Sequence, residues 1–296
     1  MISWIAARVR RRGAGWQTDG ITPDRARRRP KKAPGNDNWR AYIARAWRYD
    51  EKMTPTLATE VQHHASNEAG RDFVVGDLHG CVDALRFLLR EVNFDATTDR
   101  LFSVGDLIDR GEQCEEALTL LDKPWFYAVL GNHEDALCAV VEGRLPRHQW
   151  YGIGGGWAQH VPERVLALYA KRLRQLPLVR TVGEGGARFN VLHAEFFGDD
   201  TELDAGQFNE HVRERMLWGR ELAFNAGTPA SLALSLTYCG HTPMREPRQI
   251  GSQMYIDTGA YIAEGRLTMV EALSLRNWSV STQAAREQGA AALALP

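Results

Sequence analysis

Five short segments of the sequence bring carboxylate, carboxamide and imidazole side chains together, most of them next to glycine. In chain order they are Gly76-Asp77-Leu78-His79-Gly80, Gly105-Asp106-Leu107-Ile108-Asp109-Arg110-Gly111, Gly131-Asn132-His133-Glu134, Val191-Leu192-His193-Ala194 and Cys239-Gly240-His241-Thr242. These donors suit a borderline divalent cation such as manganese, iron or zinc better than magnesium, which favours oxygen ligands. Two such ions about 3.5–4 Å apart can clamp a phosphoryl group and lower the pKa of a shared water. The residue types therefore predict a two-metal site for phosphoester hydrolysis, with Asp106 as the bridging carboxylate.

The elements that would position the first three segments are predicted strands. Short apolar runs at residues 73–75, 101–104 and 126–130 precede these segments, and apolar residues at helical spacing follow them. Three strand, loop and helix units in succession predict an α/β fold with parallel strands. In such sheets the loops at the carboxyl ends of the strands meet at one edge. The three segments are therefore expected to share one site.

The second half of the chain is predicted to contain more strands. After a proline-opened helix at residues 162–176, strand candidates lie at 178–182, 188–192, 236–239, 254–257 and 267–270. Two of these runs end at His193 and His241, which adds both histidines to the predicted site. Taken alone, each polar residue would more often cap a helix, form a turn or pack in a core. Their joint placement after five strand-like runs favours a catalytic site.

The segments are similar to those of a known family, the phosphoprotein phosphatase branch of the metallophosphoesterases. The resemblance is greatest to the bacteriophage lambda protein phosphatase and to bacterial serine/threonine protein phosphatases. It spans about residues 71–270 and includes 76–81, 103–111, 124–126, 131–134, 154–157, 176–178, 193–194, 240–243 and 253–260. The resemblance implies an α/β fold of the calcineurin-like kind, a β-sandwich flanked by helices in α/β/β/α layers. It also implies a metal-dependent serine/threonine phosphatase that acts on a phosphorylated protein or peptide.

Carried over position by position, the resemblance implies two metal ions and their ligands. Asp77 and His79 would hold the first ion and Asp106 would bridge. The second ion would be held by Asn132, His193 and His241. Manganese is the expected metal, with iron or zinc as alternatives, because this ligand set accepts several first-row ions.

The resemblance also implies how the substrate is handled. Arg110, Arg220 and Asn132 would bind the phosphate, although the residue before Arg220 departs from the family pattern. His133 would donate a proton to the leaving oxygen, and Asp109 would orient it. A hydroxide bound by both metals would attack phosphorus directly, so no phosphoenzyme would form.

Three alternatives remain open on the sequence alone. A symmetrical dinucleoside-tetraphosphate hydrolase shares the Asp-x-His and Gly-Asn-His segments, but its pattern has Ala in place of Asp109 and Asp in place of Glu134. The chain could also hydrolyse a different phosphoester. It could instead be an inert phosphatase-like domain with a nucleic-acid-binding basic arm. The complete set of ligand residues, together with Asp109 and Glu134, favours the protein phosphatase.

Charge is distributed unevenly along the chain. Residues 1–48 contain 13 Arg or Lys against three Asp, although the whole chain has a formal net charge of −1. We predict a basic, disordered N-terminal extension at 1–65, a catalytic domain at 66–275 and a C-terminal tail at 276–296. The extension is either a solvated tail, with Met53 as a possible later start, or a contact for an acidic partner or nucleic acid.

Composition indicates a globular protein of the cytoplasm. A hydrophobic content of 44% is enough for a large core. The four cysteines lie far apart without a CxxC pair, which predicts free thiols in a reducing compartment. No run approaches the roughly 18 uncharged apolar residues that a membrane helix needs. We therefore expect a cytoplasmic protein without a membrane span.

Several other conspicuous residues are assigned structural roles. Gly154-Gly155-Gly156 follows no clear strand and lacks the Lys-Ser/Thr pair of a P-loop, so it is predicted to be a turn that lets Trp157 pack. Trp125 and Phe126 are expected to pack in the core. Histidines outside the five segments are expected at the surface or in the core; they are His63, His64, His148, His160 and His211.

Overall fold

The computed structural model describes residues 59–224 and 233–296 of the 296-residue chain. Its strands are β1 Val61–His64, β2 Asp72–Val75, β3 Arg100–Ser103, β4 Phe126–Ala128, β5 Val179–Val182, β6 Phe189–Leu192, β7 Leu236–Cys239, β8 Arg248–Ile250, β9 Gln253–Tyr255, β10 Leu267–Glu271 and β11 Asn277–Val280. Its α-helices are α1 Val82–Glu91, α2 Cys114–Leu118, α3 Asn132–Val141, α4 Arg147–Ile153, α5 Glu163–Leu173, α6 Asp200–Ala205, α7 Glu210–Trp218, α8 Glu221–Phe224 and α9 Thr282–Glu287. Short 3-10 helices lie at Thr119–Asp122, Gly155–His160, Gly185–Ala187 and Ala290–Ala292.

The strands form two mixed sheets. A six-stranded sheet has the order β1-β5-β6-β7-β9-β8, and a five-stranded sheet has the order β11-β10-β2-β3-β4. In the five-stranded sheet β2, β3 and β4 are parallel, while β10 and β11 are antiparallel to their neighbours. In the six-stranded sheet β6, β7 and β9 are parallel. Every strand predicted from the sequence overlaps one of β2–β7, β9 or β10, and the prediction of an α/β fold is confirmed.

The two sheets pack face to face. Val74 and Phe102 of the five-stranded sheet form one buried apolar cluster with Val191 and Phe189 of the six-stranded sheet. The rings of Phe102 and Phe189 meet edge to face, with their centroids 5.7 Å apart. Removing so large a side chain from a dry interface, as in Phe102→Ala, would cost roughly 3–5 kcal/mol of unfolding free energy.

Helices cover the outer faces of this sandwich. On the five-stranded side Leu85 of α1 and Leu137 of α3 pack into one buried cluster with Phe73 of β2. On the six-stranded side Met216 of α7 packs into another with Leu192 of β6. The layer order is therefore α/β/β/α, as the resemblance implies.

The sheets extend beyond both predicted boundaries of the catalytic domain. β1 lies in the predicted extension and pairs in parallel with β5. β11 lies in the predicted tail and pairs with β10, and Arg286 of α9 binds Asp83 of α1 at 2.7 Å. Both strands are sheet edges that bury few apolar side chains, so their apolar pattern is too weak to predict them.

Residues 1–58 of the predicted extension lie outside the described residues, as does the predicted contact of this arm with nucleic acid. No helix within 59–224 and 233–296 is long and apolar enough to cross a membrane. All four cysteines are buried free thiols, as their spacing predicts.

Candidate functional site

The five polar segments meet at the carboxyl ends of strands from both sheets. Asp77, Asp106 and Asn132 follow β2, β3 and β4, whereas His193 and His241 follow β6 and β7. Hydrogen bonds join the two sheets here. Nδ1 of His193 donates to the backbone carbonyl just after β3 at 2.8 Å, and the backbone N–H of His241 donates to Oδ2 of Asp77 at 3.0 Å. The six predicted ligand residues are all at most 5% exposed.

Several site residues have a left-handed backbone conformation. Of the seven non-glycine residues with positive φ in the described part of the chain, five are predicted site residues: His79, Asp106, Asp109, Arg110 and His241. Their φ angles lie between 42° and 73°. Each such residue costs on the order of 1–3 kcal/mol, so the surrounding contacts must hold the loops in place.

One group of possible ligand atoms gathers on Oδ2 of Asp106. Nε2 of His79 lies 3.6 Å from this oxygen, and Nε2 of His133 lies 3.8 Å from it. Nδ1 of His79 donates to the carbonyl of Ile108 at 2.9 Å, which leaves the lone pair on Nε2 directed into the site. The spacing of the three side chains fits one metal ion. Geometry alone thus admits His133 as a ligand, whereas the resemblance makes it the proton donor.

A second group gathers on Oδ1 of Asp106 and Oδ1 of Asn132. Nε2 of His193 lies 3.5 Å from the first oxygen and 2.8 Å from the second, and Nδ1 of His241 lies 3.0 Å from the second. Asp106, His193 and His241 are spaced to hold an ion. Burial alone would raise the pKa of Asp106, but the surrounding histidines, led by His193, lower that pKa below its ordinary value. The carboxylate of Asp106 thus faces both groups, one oxygen toward each, as a bridging ligand must.

Two further buried carboxyl groups, those of Asp77 and Asp257, lie near the two ligand groups. Asp77 belongs to neither group in this geometry. Its carboxylate accepts the backbone N–H of His241. Burial, followed by the charges of Asp257 and Asp106, raises the pKa of Asp77 well above its ordinary value. Asp257 is 1% exposed, and its Oδ2 has no hydrogen-bond partner among the described residues. Buried carboxylates that lack counter-charge fit a divalent cation. The sequence pattern assigned no role to Asp257.

His133 and Asp109 form a buried pair beside the first group. Nδ1 of His133 donates to Oδ2 of Asp109 at 2.7 Å, and both residues are at most 1% exposed. Burial alone would lower the pKa of His133, but the charge of Asp106 and the hydrogen bond to Asp109 raise it above the ordinary value. A charged imidazole with Nε2 toward the ligand groups can donate a proton there.

Two exposed arginines approach the buried ligand residues. Nη1 of Arg110 lies 2.9 Å from Nε2 of His79, and its guanidinium lies over the ring of Tyr261, 4.5 Å from the centroid. Nε of Arg220 donates to Nε2 of His241 at 3.1 Å. The two guanidiniums therefore lie on the solvent side of the cluster, where an oxyanion could bind.

Glu134 shapes the loop that carries Asp106. Its side chain is completely buried, and its carboxylate accepts the backbone N–H groups of Asp106 and the next two residues at 2.8, 2.9 and 3.2 Å. In the sequence comparison, Glu134 and Asp109 match the pattern of protein phosphatases and not that of nucleotide hydrolases. Asp109 is also completely buried, so both residues act on the substrate indirectly, through the residues that they hold.

Glu195 is a residue of the site that the sequence pattern missed. It is completely buried, and its carboxylate accepts the backbone N–H groups of Glu221 and Leu222, both at 2.8 Å. These residues directly follow Arg220, so Glu195 fixes the start of α8 and with it the backbone of Arg220. The one signal in the sequence is an acid two residues after His193.

Most of the chain is similar to known proteins. The family model described as calcineurin-like phosphoesterase matches residues 73–260. The serine/threonine-protein phosphatases 2 and 1 of Salmonella typhimurium are 32% and 36% identical to the chain over 195 and 205 residues. These alignments cover 64% and 67% of this chain and 87% and 89% of the two phosphatases.

Nucleotide hydrolases match as well. The symmetrical bis(5'-nucleosyl)-tetraphosphatase of Actinobacillus pleuropneumoniae serotype 3 is 44% identical over 73 residues, which cover 24% of this chain and 27% of that protein. A solved structure named as that of a candidate diadenosine tetraphosphatase has a TM-score of 0.57 at 26% identity, and covers 75% of this chain and 97% of its own. Both substrate classes are therefore represented among similar proteins.

Proposed function

The chain belongs to the calcineurin-like phosphoesterase family, and we propose that it is a metal-dependent serine/threonine protein phosphatase. The observation that carries this proposal is the buried His133–Asp109 pair beside the ligand groups on Asp106. A serine or threonine alkoxide is a strong base and needs a proton as it leaves. Cleavage of a dinucleoside tetraphosphate releases a nucleoside phosphate, which is a much weaker base. A proton donor positioned beside the ligand groups therefore favours a phosphorylated protein over a dinucleoside tetraphosphate as the substrate.

The proposal includes two divalent ions, with manganese expected and iron or zinc as alternatives. One ion would be held by Asp77, His79 and Asp106, and the other by Asp106, Asn132, His193 and His241. When bound, the ions supply positive charge for the phosphoryl group and lower the pKa of a water between them. Neutral imidazoles and buried carboxylates are the donors that such ions prefer.

The remaining polar residues would act on the substrate itself. Arg110, Arg220 and Asn132 would bind the phosphate oxygens, since a guanidinium matches an oxyanion with paired hydrogen bonds. His133 would pass the proton on Nε2 to the leaving oxygen. Asp109 would hold the ring in one orientation and stabilise its charged form.

We place the protein in the cytoplasm. Its four buried free thiols fit a reducing compartment. The substrate there would be a phosphorylated protein or peptide, and the relatives named as serine/threonine-protein phosphatases support this class.

The test is a comparison of kcat/KM for a phosphoserine peptide and for diadenosine tetraphosphate, with manganese present. We expect a preference for the peptide on the order of tenfold or more. Asp106→Asn, prepared in the same way, controls for contaminating phosphatases and should be inactive on both. A preference for the dinucleotide would overturn the proposed substrate.

A further inference from the structure

Asp109 accepts three hydrogen bonds although it is completely buried. Nδ1 of His133 and Nε1 of Trp150 donate to its Oδ2 at 2.7 and 2.8 Å. Nε1 of Trp157 donates to its Oδ1 at 2.7 Å. A buried carboxylate is costly unless its oxygens are hydrogen-bonded. The two indoles, one on each oxygen, therefore allow a charged Asp109 to remain beside His133.

Trp150 and Trp157, together called the indole clamp, suit this task chemically. An indole N–H donates a hydrogen bond, accepts none and does not ionise. The two indole rings also pack edge to face, with their centroids 6.2 Å apart. The ring centroid of Trp157 lies 6.3 Å from that of Tyr169. Because Trp150 is completely buried, it has little room to turn. The clamp therefore offers Asp109 a single orientation.

Two glycines of the run 154–156 lie close to residues of this part of the site. A Cβ on Gly155 would lie 2.4 Å from the ring of Trp150, so any side chain there would displace the indole. Gly154 has φ 129°, and its carbonyl accepts the backbone N–H of Arg110 at 3.1 Å. Gly155 therefore leaves room for the Trp150 indole beside the carboxylate, and Gly154 holds the backbone of a predicted phosphate-binding residue.

We propose that Trp150 and Trp157 are positioning residues for proton transfer to the leaving group. They fix Asp109, and Asp109 fixes the imidazole of His133 so that its Nε2–H faces the leaving oxygen. In that step the N–H bond breaks and an O–H bond forms on the leaving oxygen, and the imidazole becomes neutral. The P–O bond to the leaving oxygen breaks as the oxygen of the attacking water forms a new P–O bond. The inference rests on the proton-donor role that the proposed function gives to His133.

The test compares Trp157→Phe with wild type on two small monoesters and on a phosphoserine peptide. Phenyl phosphate has a poor leaving group, whereas p-nitrophenyl phosphate releases a weak base that needs little protonation. We expect kcat to fall about tenfold on phenyl phosphate and on the peptide, and less than about threefold on p-nitrophenyl phosphate. KM should stay within about twofold on all three, because the indole does not touch the phosphate. Trp150→Phe should act in the same direction.

The matched control is Trp125→Phe. Trp125 is 3% exposed and packs its ring against Phe94 and Phe126, away from the site. This variant should lose stability without changing the ratio of the two monoester rates. If Trp157→Phe also left that ratio unchanged, the inference would be wrong. Because Trp157 is only half buried, its variant carries the test if Trp150→Phe does not fold.

A second comparison separates positioning from general loosening. In an Asp109→Asn background, Trp157→Phe should lower kcat on phenyl phosphate by less than about twofold further, since both substitutions act on one chain of contacts. A further fall of about tenfold in kcat on phenyl phosphate would show that the indole acts independently of Asp109. The monoester ratio requires no protein substrate, so a wild-type enzyme that rejects the peptide would refute the proposed function while leaving this test valid.

Discussion

The two sheets contribute to the site in different ways. Ligand and proton-transfer residues from residues 77–134 follow three neighbouring parallel strands of the five-stranded sheet, and Glu134 ties two of these loops together. The six-stranded sheet contributes His193 and His241, and Arg220 comes from a loop nearby. On the five-stranded side the carboxylate of Glu134 holds the Asp106 loop, whereas on the six-stranded side the carboxylate of Glu195 holds the residues after Arg220.

This difference predicts separate effects of substitution. Glu134, on the five-stranded side, holds the loop that carries Asp106, so its substitution should lower kcat. The Glu195 and Arg220 contacts of the six-stranded side fix a phosphate-binding group, so changes there should mainly raise KM. Glu134 and Glu195 allow a matched comparison, because both are completely buried and both accept backbone N–H groups.

The largest effect is expected where the two regions meet, at Asp106. Asp106→Asn removes the carboxylate that faces both ligand groups, and kcat on a phosphoserine peptide should fall by about a thousandfold or more. Steady-state kinetics at saturating manganese measures this. The control is Asp204→Asn, whose carboxylate pairs with Arg188 in a partly exposed contact. Activity within tenfold of wild type would show that catalysis does not depend on the carboxylate shared by the two ligand groups.

His133→Asn should have the next largest effect. Loss of the proton donor should lower kcat on the peptide by about 10²–10⁴-fold, and the loss on p-nitrophenyl phosphate should be smaller. Metal content, measured by mass spectrometry of the folded protein, should remain at the wild-type level. A loss of bound metal would instead make His133 a ligand, which the spacing of His79, Asp106 and His133 also permits.

The ligand segments could be predicted because each combines a strand-like run and a metal-binding side chain in a local pattern, and all but the His193 segment also contain glycine. Glu195, Asp257 and the indole clamp could not. Glu195 acts on residues 26 and 27 positions away, and Trp157 reaches an acid 48 positions away, so only tertiary packing creates these contacts. The edge strands β1 and β11 could not be predicted for a related reason, since they bury few apolar side chains and their pairing with β5 and β10 is also a tertiary contact.

Glu134→Gln should have a moderate effect on the five-stranded side. A carboxamide can accept at one end only, so at least one backbone N–H of the Asp106 loop would lose its partner. We expect a loss of about 1–3 kcal/mol in the free energy of unfolding, measured in urea. kcat should fall by about tenfold at unchanged KM. Unchanged kcat with a normal unfolding midpoint would contradict this role of Glu134.

Glu195→Gln should have the smallest effect, on the other side of the site. It should raise KM for the peptide by about threefold to tenfold and leave kcat within about twofold, because only the placement of Arg220 changes. The increase in KM should disappear in an Arg220→Ala background. If Glu195→Gln lowered kcat as strongly as Glu134→Gln does, the division into an effect on kcat for Glu134 and on KM for Glu195 would be wrong.

The most direct test of a two-metal site is a manganese titration of metal-stripped protein, with bound metal and hydrolysis of a phosphoserine peptide measured in the same samples. We predict two bound ions per chain at saturation, with activity appearing mainly as the second ion binds. Full activity in metal-free protein or with a single bound ion would contradict a site in which Asp106 joins two metals.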